Sequence, residues 1–127
     1  MGIVVTWDNQ EKSILREDLT TPWTWTEYDE ATDQLASLIQ SMSYRVDVIF
    51  NRNYAATPHG DPFAHYRRIA EQLPANTGLV LVVGATNATR AAANFFLPLF
   101  PQLAARLAFV DTLEEARTIL QIRRKFN

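Results

Sequence analysis

The sequence contains no cysteine, which excludes disulfides, thiolate metal sites and thiol nucleophiles and fits a cytoplasmic location. Glycine is scarce: four residues, at positions 2, 60, 78 and 84, cannot form a phosphate-binding loop or a dinucleotide fingerprint. Long hydrophobic runs are missing. The most apolar window, residues 91–104, is broken by Pro98 and Pro101, whereas a spanning helix needs about 20 apolar residues, so no membrane span is expected. Residues 1–8 lack a basic start followed by a long apolar stretch, and no secretory signal is expected. An excess of positive charge is absent too. The formal charge is −2 and the pI near 5.6, whereas a nucleic-acid-binding domain usually has a pI above about 9. Nucleic acid is therefore not an expected partner.

What is there is the composition of one globular domain spanning residues 1–127, with 47% hydrophobic and 20% charged residues. Its charge is uneven: residues 1–33 carry a net −6 and the remainder +4. Arg123, Arg124 and Lys125 lie together near the C-terminus, where the end of a helix favours cations.

Residues 3–8 and 13–20 read as two strands joined by the polar turn at 9–12, a hairpin. In the second strand Ile14, Arg16 and Asp18 alternate with Leu15, Glu17 and Leu19. Thr26 with Asp29 resembles a capped helix start, and Tyr28, Ala31, Leu35, Leu38, Ile39 and Met42 line one face of the helix that follows. Val46 to Phe50 is a short strand with a polar exit, Asn51-Arg52-Asn53. Asp61-Pro62 starts a second helix reaching about Leu73, with Phe63, Tyr66, Ile69, Ala70 and Leu73 buried and His65 and Arg68 pointing away. Leu79 to Val83 is continuously apolar, as expected of the strand at the centre of the sheet. A third helix over about 88–97 ends at Pro98, Leu107 to Val110 is the last strand, and Asp111-Thr112 with Glu115 caps a final helix. The order β-β-α-β-α-β-α-β-α implies an α/β fold, a mostly parallel five-stranded sheet with an antiparallel first strand and helical crossovers.

This order, with the Pro22-Trp23-Thr24-Trp25-Thr26 approach to the first helix and the strand-loop-helix unit from Arg45 through Asp61 to Leu73, resembles the STAS domain family. Trp23 to Tyr28 and Phe63 to Leu73 are similar to the small stand-alone STAS-like proteins of bacteria. The resemblance implies a non-enzymatic regulatory module of the anti-sigma-factor-antagonist type, which binds another protein and is switched by phosphorylation of a serine before the helix after the third strand. The aspartate-serine pair of that switch is missing here, and no serine occurs beyond Ser43. The serine phosphoswitch is expected to be absent. Thr57 is the candidate displaced phospho-acceptor.

Arg52, Tyr54, Thr57, Asp61 and Arg68 are the candidate contacts for a protein partner on the loop after the third strand and the helix beyond it. Thr86, Asn87 and Arg90 lie where a strand runs into a helix N-terminus and form a candidate anion site. His59, Asp61 and His65 are metal-ligand types within seven residues, but Asp61 serves as a cap and too few ligands remain for a zinc sphere. No metal and no cofactor are expected. No nucleophile, base and orienting group can be assembled for catalysis. The densest apolar segment, Phe95 to Leu103, is expected either to fold onto itself or to present a patch to a partner, a second copy of the chain or a lipid. The alternative function is therefore a carrier of a lipid or anion, held between residues 86–100 and the sheet.

Overall fold

A computed structural model describes residues 2–125. The chain is an α/β fold with one five-stranded sheet in the order β1-β2-β3-β4-β5. Strand β1 (Ile3–Trp7) runs antiparallel to β2 (Ile14–Leu19), and β3 (Val46–Asn51), β4 (Thr77–Val83) and β5 (Leu107–Val110) follow in parallel. The helices between strands are α1 (Trp25–Gln40), α2 (Pro62–Gln72) and α3 (Asn87–Phe96), which continues through a 3-10 turn (Leu97–Leu99) into the short α4 (Pro101–Ala104). The last helix is α5 (Leu113–Lys125).

Side-chain alternation along the strands divides the core in two. Leu15, Leu19, Val46, Val48, Phe50, Val80 and Val82 pack with α1 and α2, whereas Ile14, Ile49, Leu81, Val83 and Val110 meet Ala116 and Leu120 of α5 on the other face. Every residue of β3 is buried. The central strand is thus β3, not β4 as the uninterrupted apolar run suggested. The polar residue interrupting β3, Asp47, obscured this, and its carboxylate is fully engaged. Its Oδ1 accepts the Leu79 N–H at 2.8 Å and its Oδ2 accepts from Arg124 Nη2 at 3.3 Å, tying β3 to β4 and α5. Gly78 leaves the space that this carboxylate fills.

The first helix starts earlier than the Thr26–Asp29 pattern implies. Thr24 is its N-cap: Thr24 Oγ1 accepts the Glu27 N–H at 3.1 Å, and Glu27 Oε1 accepts the Thr24 N–H at 3.1 Å. Glutamate at the third helical position is long enough to close this box, and the Asp29 carboxylate instead meets His65 Nδ1 of α2 at 2.8 Å. Glu27 Oε2 also accepts the Gly2 N–H at 2.9 Å, which docks the chain start on α1. Helix α3 begins at Asn87 with Thr86 as its cap.

Replacing Thr24 by Ala is expected to lower the unfolding free energy by about 1 kcal/mol, the usual cost of losing an N-cap. Thr26→Ala, inside the exposed first turn, is expected to leave it unchanged within about 0.5 kcal/mol. Urea denaturation of the two variants checks the position of the cap.

Candidate functional site

Val46, Val48 and Phe50 of β3 point toward the α1–α2 face, and two residues on the same alternation reaches Arg52. The backbone holds to the sheet through that residue, because the Arg52 N–H donates to Val83 O at 2.8 Å. The chain then turns. Ala55 N–H donates to Arg52 O at 2.8 Å, and Asn53 and Tyr54 adopt φ values of 51° and 54°. Gly84, itself at a φ of 67°, lets these two residues approach its backbone closely. Continuing the strand in this way sends the Arg52 side chain inward, under α1 and α2.

Arg52 is 4% exposed. Its guanidinium carbon lies 5.6 Å from the centroid of the Trp23 ring, a cation–π contact in a desolvated setting. Its Nε and Nη2 atoms are buried without a hydrogen-bond partner among the described residues. A guanidinium offers five N–H donors and does not lose its proton in proteins, so donors left empty in the interior are costly.

Glu17, on the inner face of β2 between Leu15 and Leu19, is the nearest candidate counter-charge. It pairs in register with Phe50, so Arg52 is two residues further along the neighbouring strand on the same face. Glu17 is 1% exposed, and its Oε1 has no partner. Burial pushes its carboxyl up to about 8, with the nearby Arg52 charge opposing the shift and Asp18 adding to it. Near neutral pH most of Glu17 is therefore protonated, and the Arg52 charge is only partly compensated. Tyr28 of α1 and Tyr66 of α2 surround the same guanidinium; burial raises both hydroxyls above the ordinary tyrosine range, and Arg52 opposes it.

Arg52, Tyr28 and Tyr66 border a cleft between the sheet and the α2–α3 layer. Its volume is about 70 Å³. Phe50, Val80, Val82 and Phe109 supply the sheet side, and Ala93, Phe96, Leu97 and Leu103 the opposite side; Thr89 adds a hydroxyl. A single water needs roughly 10–15 Å³ of such space, so the cleft takes a few waters or a short organic ion. A cleft bordered by one guanidinium, two tyrosines and a threonine, and otherwise apolar, suits a small anion with an apolar body.

The other residues singled out in the sequence do not gather around one surface. Tyr54 is exposed, and its hydroxyl donates to Asp111 O at 3.3 Å. Thr57 is exposed, with its hydroxyl 3.4 Å from that of Thr89 at the start of α3, away from the α2 N-terminus. Asp61 caps α2 by accepting the Phe63 N–H at 2.9 Å. Arg68 Nη2 donates to both Asp33 oxygens at 2.8 Å, pinning α2 to α1. Thr86 caps α3, Asn87 is exposed, and Arg90 turns to Asp111 at 3.3 Å and lies 5.2 Å over the Phe109 ring. His65 does not point away as helical counting implied: it stacks on Trp25 at 4.2 Å and bonds Asp29, because α1 covers that face of α2. His59 meets Trp25 through its backbone carbonyl, and no group of three metal-ligating side chains occurs among the described residues. In the apolar segment Phe96 is buried and stacks with Phe100 at 4.8 Å, whereas Phe95 and Leu99 remain 75% and 65% exposed.

Glu17, Tyr28 and Tyr66 were not distinguished as site residues by sequence. The available signal was Glu17 itself, an acid in phase with Leu15 and Leu19 on the face that must be buried. No helix among the described residues is long and apolar enough to cross a membrane. No family model, curated protein or solved structure matches the chain.

The raised Glu17 carboxyl makes stability depend on pH with a definite sign. From about 4.5, its ordinary value, up to about 8, the folded protein retains a proton that the unfolded chain releases. The unfolding free energy is therefore expected to fall as pH rises through this range, by up to about 1.4 kcal/mol per pH unit. Glu17→Gln is expected to remove that slope, as measured by urea denaturation at pH 5, 6, 7 and 8.

Proposed function

We propose that this chain is a non-enzymatic binding module that holds a small organic anion, of the short-chain carboxylate class, in the cleft beside Arg52. The observation that carries the reading is the buried Arg52 guanidinium, whose Nε and Nη2 lack partners while its side chain borders an apolar cleft. Those two nitrogens are closed to solvent, so the guanidinium must turn toward the cleft to give a carboxylate charge-assisted hydrogen bonds; the apolar body of the anion would then lie against Phe96 and Phe109. Binding rather than turnover fits the cleft wall. The titratable side chains bordering it are Arg52, Tyr28 and Tyr66, which can hold an anion but offer no base near neutral pH.

A STAS-like regulatory role in the cytoplasm accommodates this site. Arg52 is the root of the loop at residues 53–61, where Tyr54 and Thr57 are exposed, so a partner protein reading that loop would sense whether the guanidinium is engaged.

Titration calorimetry with propionate and butyrate at pH 7 is the test. Arg52→Met is expected to weaken binding about 10- to 100-fold, the range for a lost hydrogen-bonded charge, while Arg68→Met, which disrupts only the Asp33 pair, binds as the parent does. Equal binding by Arg52→Met, or no binding by the parent protein, would overturn the reading.

A further inference from the structure

We infer that an anion enters the Arg52 cleft together with a proton, which is held on the buried Glu17 carboxyl of the adjacent strand. The inference rests on the reading of the cleft as an anion site and adds its regulation. Its basis is the arrangement of two buried groups on adjacent strands, one of which faces the ligand space while the other does not.

Arg52 borders the cleft; Glu17 is absent from its lining and lies on the inner face of β2, close enough to Arg52 for their charges to interact. The guanidinium therefore has two competing anions. One is the internal Glu17 carboxylate, whose Oε1 is free of hydrogen bonds. The other is an external anion in the cleft. Satisfying both would place two negative charges about one cation in a largely desolvated region, where like charges are poorly screened. An ionised Glu17 thus weakens the hold of Arg52 on a ligand, and a bound ligand makes Glu17 harder to ionise. By linkage the two statements are one: ligand binding takes up a proton wherever Glu17 would otherwise have lost it.

The groups facing Glu17 leave it as the titrating element. From α1 comes Tyr28 and from the end of β3 Arg52, while Asp18 on its own strand acts from the other face of the sheet. Tyr66 of α2 reaches the same cluster through Tyr28 and Arg52. The residues of β1 on this face, Ile3, Val5 and Trp7, carry no ionisable group. Both tyrosines are shifted above their ordinary range and stay neutral throughout, whereas the Glu17 carboxyl, at about 8, changes state in an accessible range.

Propionate is a suitable probe because it is fully ionised above pH 7 and contributes no proton of its own. Its affinity is expected to be nearly constant between pH 6 and pH 7 and to fall about tenfold between pH 7 and pH 9. Calorimetry at pH 9 in buffers of different ionisation enthalpy is expected to show close to one proton taken up per propionate bound. In Glu17→Gln, a same-shape replacement, the affinity is expected to be flat over this range with no proton uptake. Equal affinity at pH 7 and pH 9 in the parent protein would overturn the coupling while leaving the anion site standing, and so would an undiminished pH effect in Glu17→Gln. Absence of binding at every pH would overturn the anion site and the coupling together. The parent protein's own pH series decides the matter even if the variant folds poorly.

Discussion

The burial of one positive charge at the end of the central strand governs the arrangement of the helix-covered face. Val46, Val48 and Phe50 fix the phase of β3, and the hydrogen bond from the Arg52 N–H to Val83 O carries that phase one residue past the strand. Arg52 must then face inward. What surrounds it follows from shielding a desolvated guanidinium. Trp23 lies against it, and Trp23, Trp25, Tyr28 and His65 form a connected set of rings with centroids 4.2–5.4 Å apart. The Pro22 to Tyr28 stretch is thus the wall that seals the charge from water. The Thr24–Glu27 cap places that wall by starting α1 directly after Trp23.

The two faces of the sheet treat buried charge differently. On the α5 side, the Asp8 carboxylate meets both Arg16 and Arg117, and Asp47 is held by the Leu79 N–H and Arg124. Those groups are closed networks, and partners at these distances make a buried carboxylate tolerable. On the helix side, Glu17 Oε1, Trp23 Nε1 and two nitrogens of Arg52 are left without partners. Apart from Arg68 Nε, the unmet hydrogen-bonding capacity among the described residues belongs to Glu17, Trp23 and Arg52 on the helix-covered face, and of these Arg52 borders the cleft.

The element order was legible because each element carries its own signal: alternation in β2, continuous apolar character in β4, Asp61-Pro62 before α2, and Thr112 before α5. The centre of the sheet was harder to find. Asp47 breaks the apolar run of β3, and only the tertiary partners of its carboxylate explain why a charge sits in a strand buried on both faces. Arg52 misled for the opposite reason. Standing between Asn51 and Asn53, it resembles part of a solvent-exposed strand exit, although parity with Val46, Val48 and Phe50 already assigns it to the interior. Glu17 carried the same cue in β2. Two charged residues in phase with buried leucines and valines on adjacent strands were the readable sign of the site; that they share one cluster depends on strand register, which no local pattern encodes.

Direct observation of an anion on Arg52 is the most decisive measurement. Crystals of the protein grown with 3-bromopropionate, with data collected at the bromine absorption edge, would locate the ligand without ambiguity. The expected result is a bromine peak in the cleft beside Phe96 and Phe109, with the carboxylate within hydrogen-bonding distance of Arg52 Nε and Nη2. An empty cleft, with the Arg52 guanidinium turned onto an ionised Glu17 in a closed two-point pair, would contradict it.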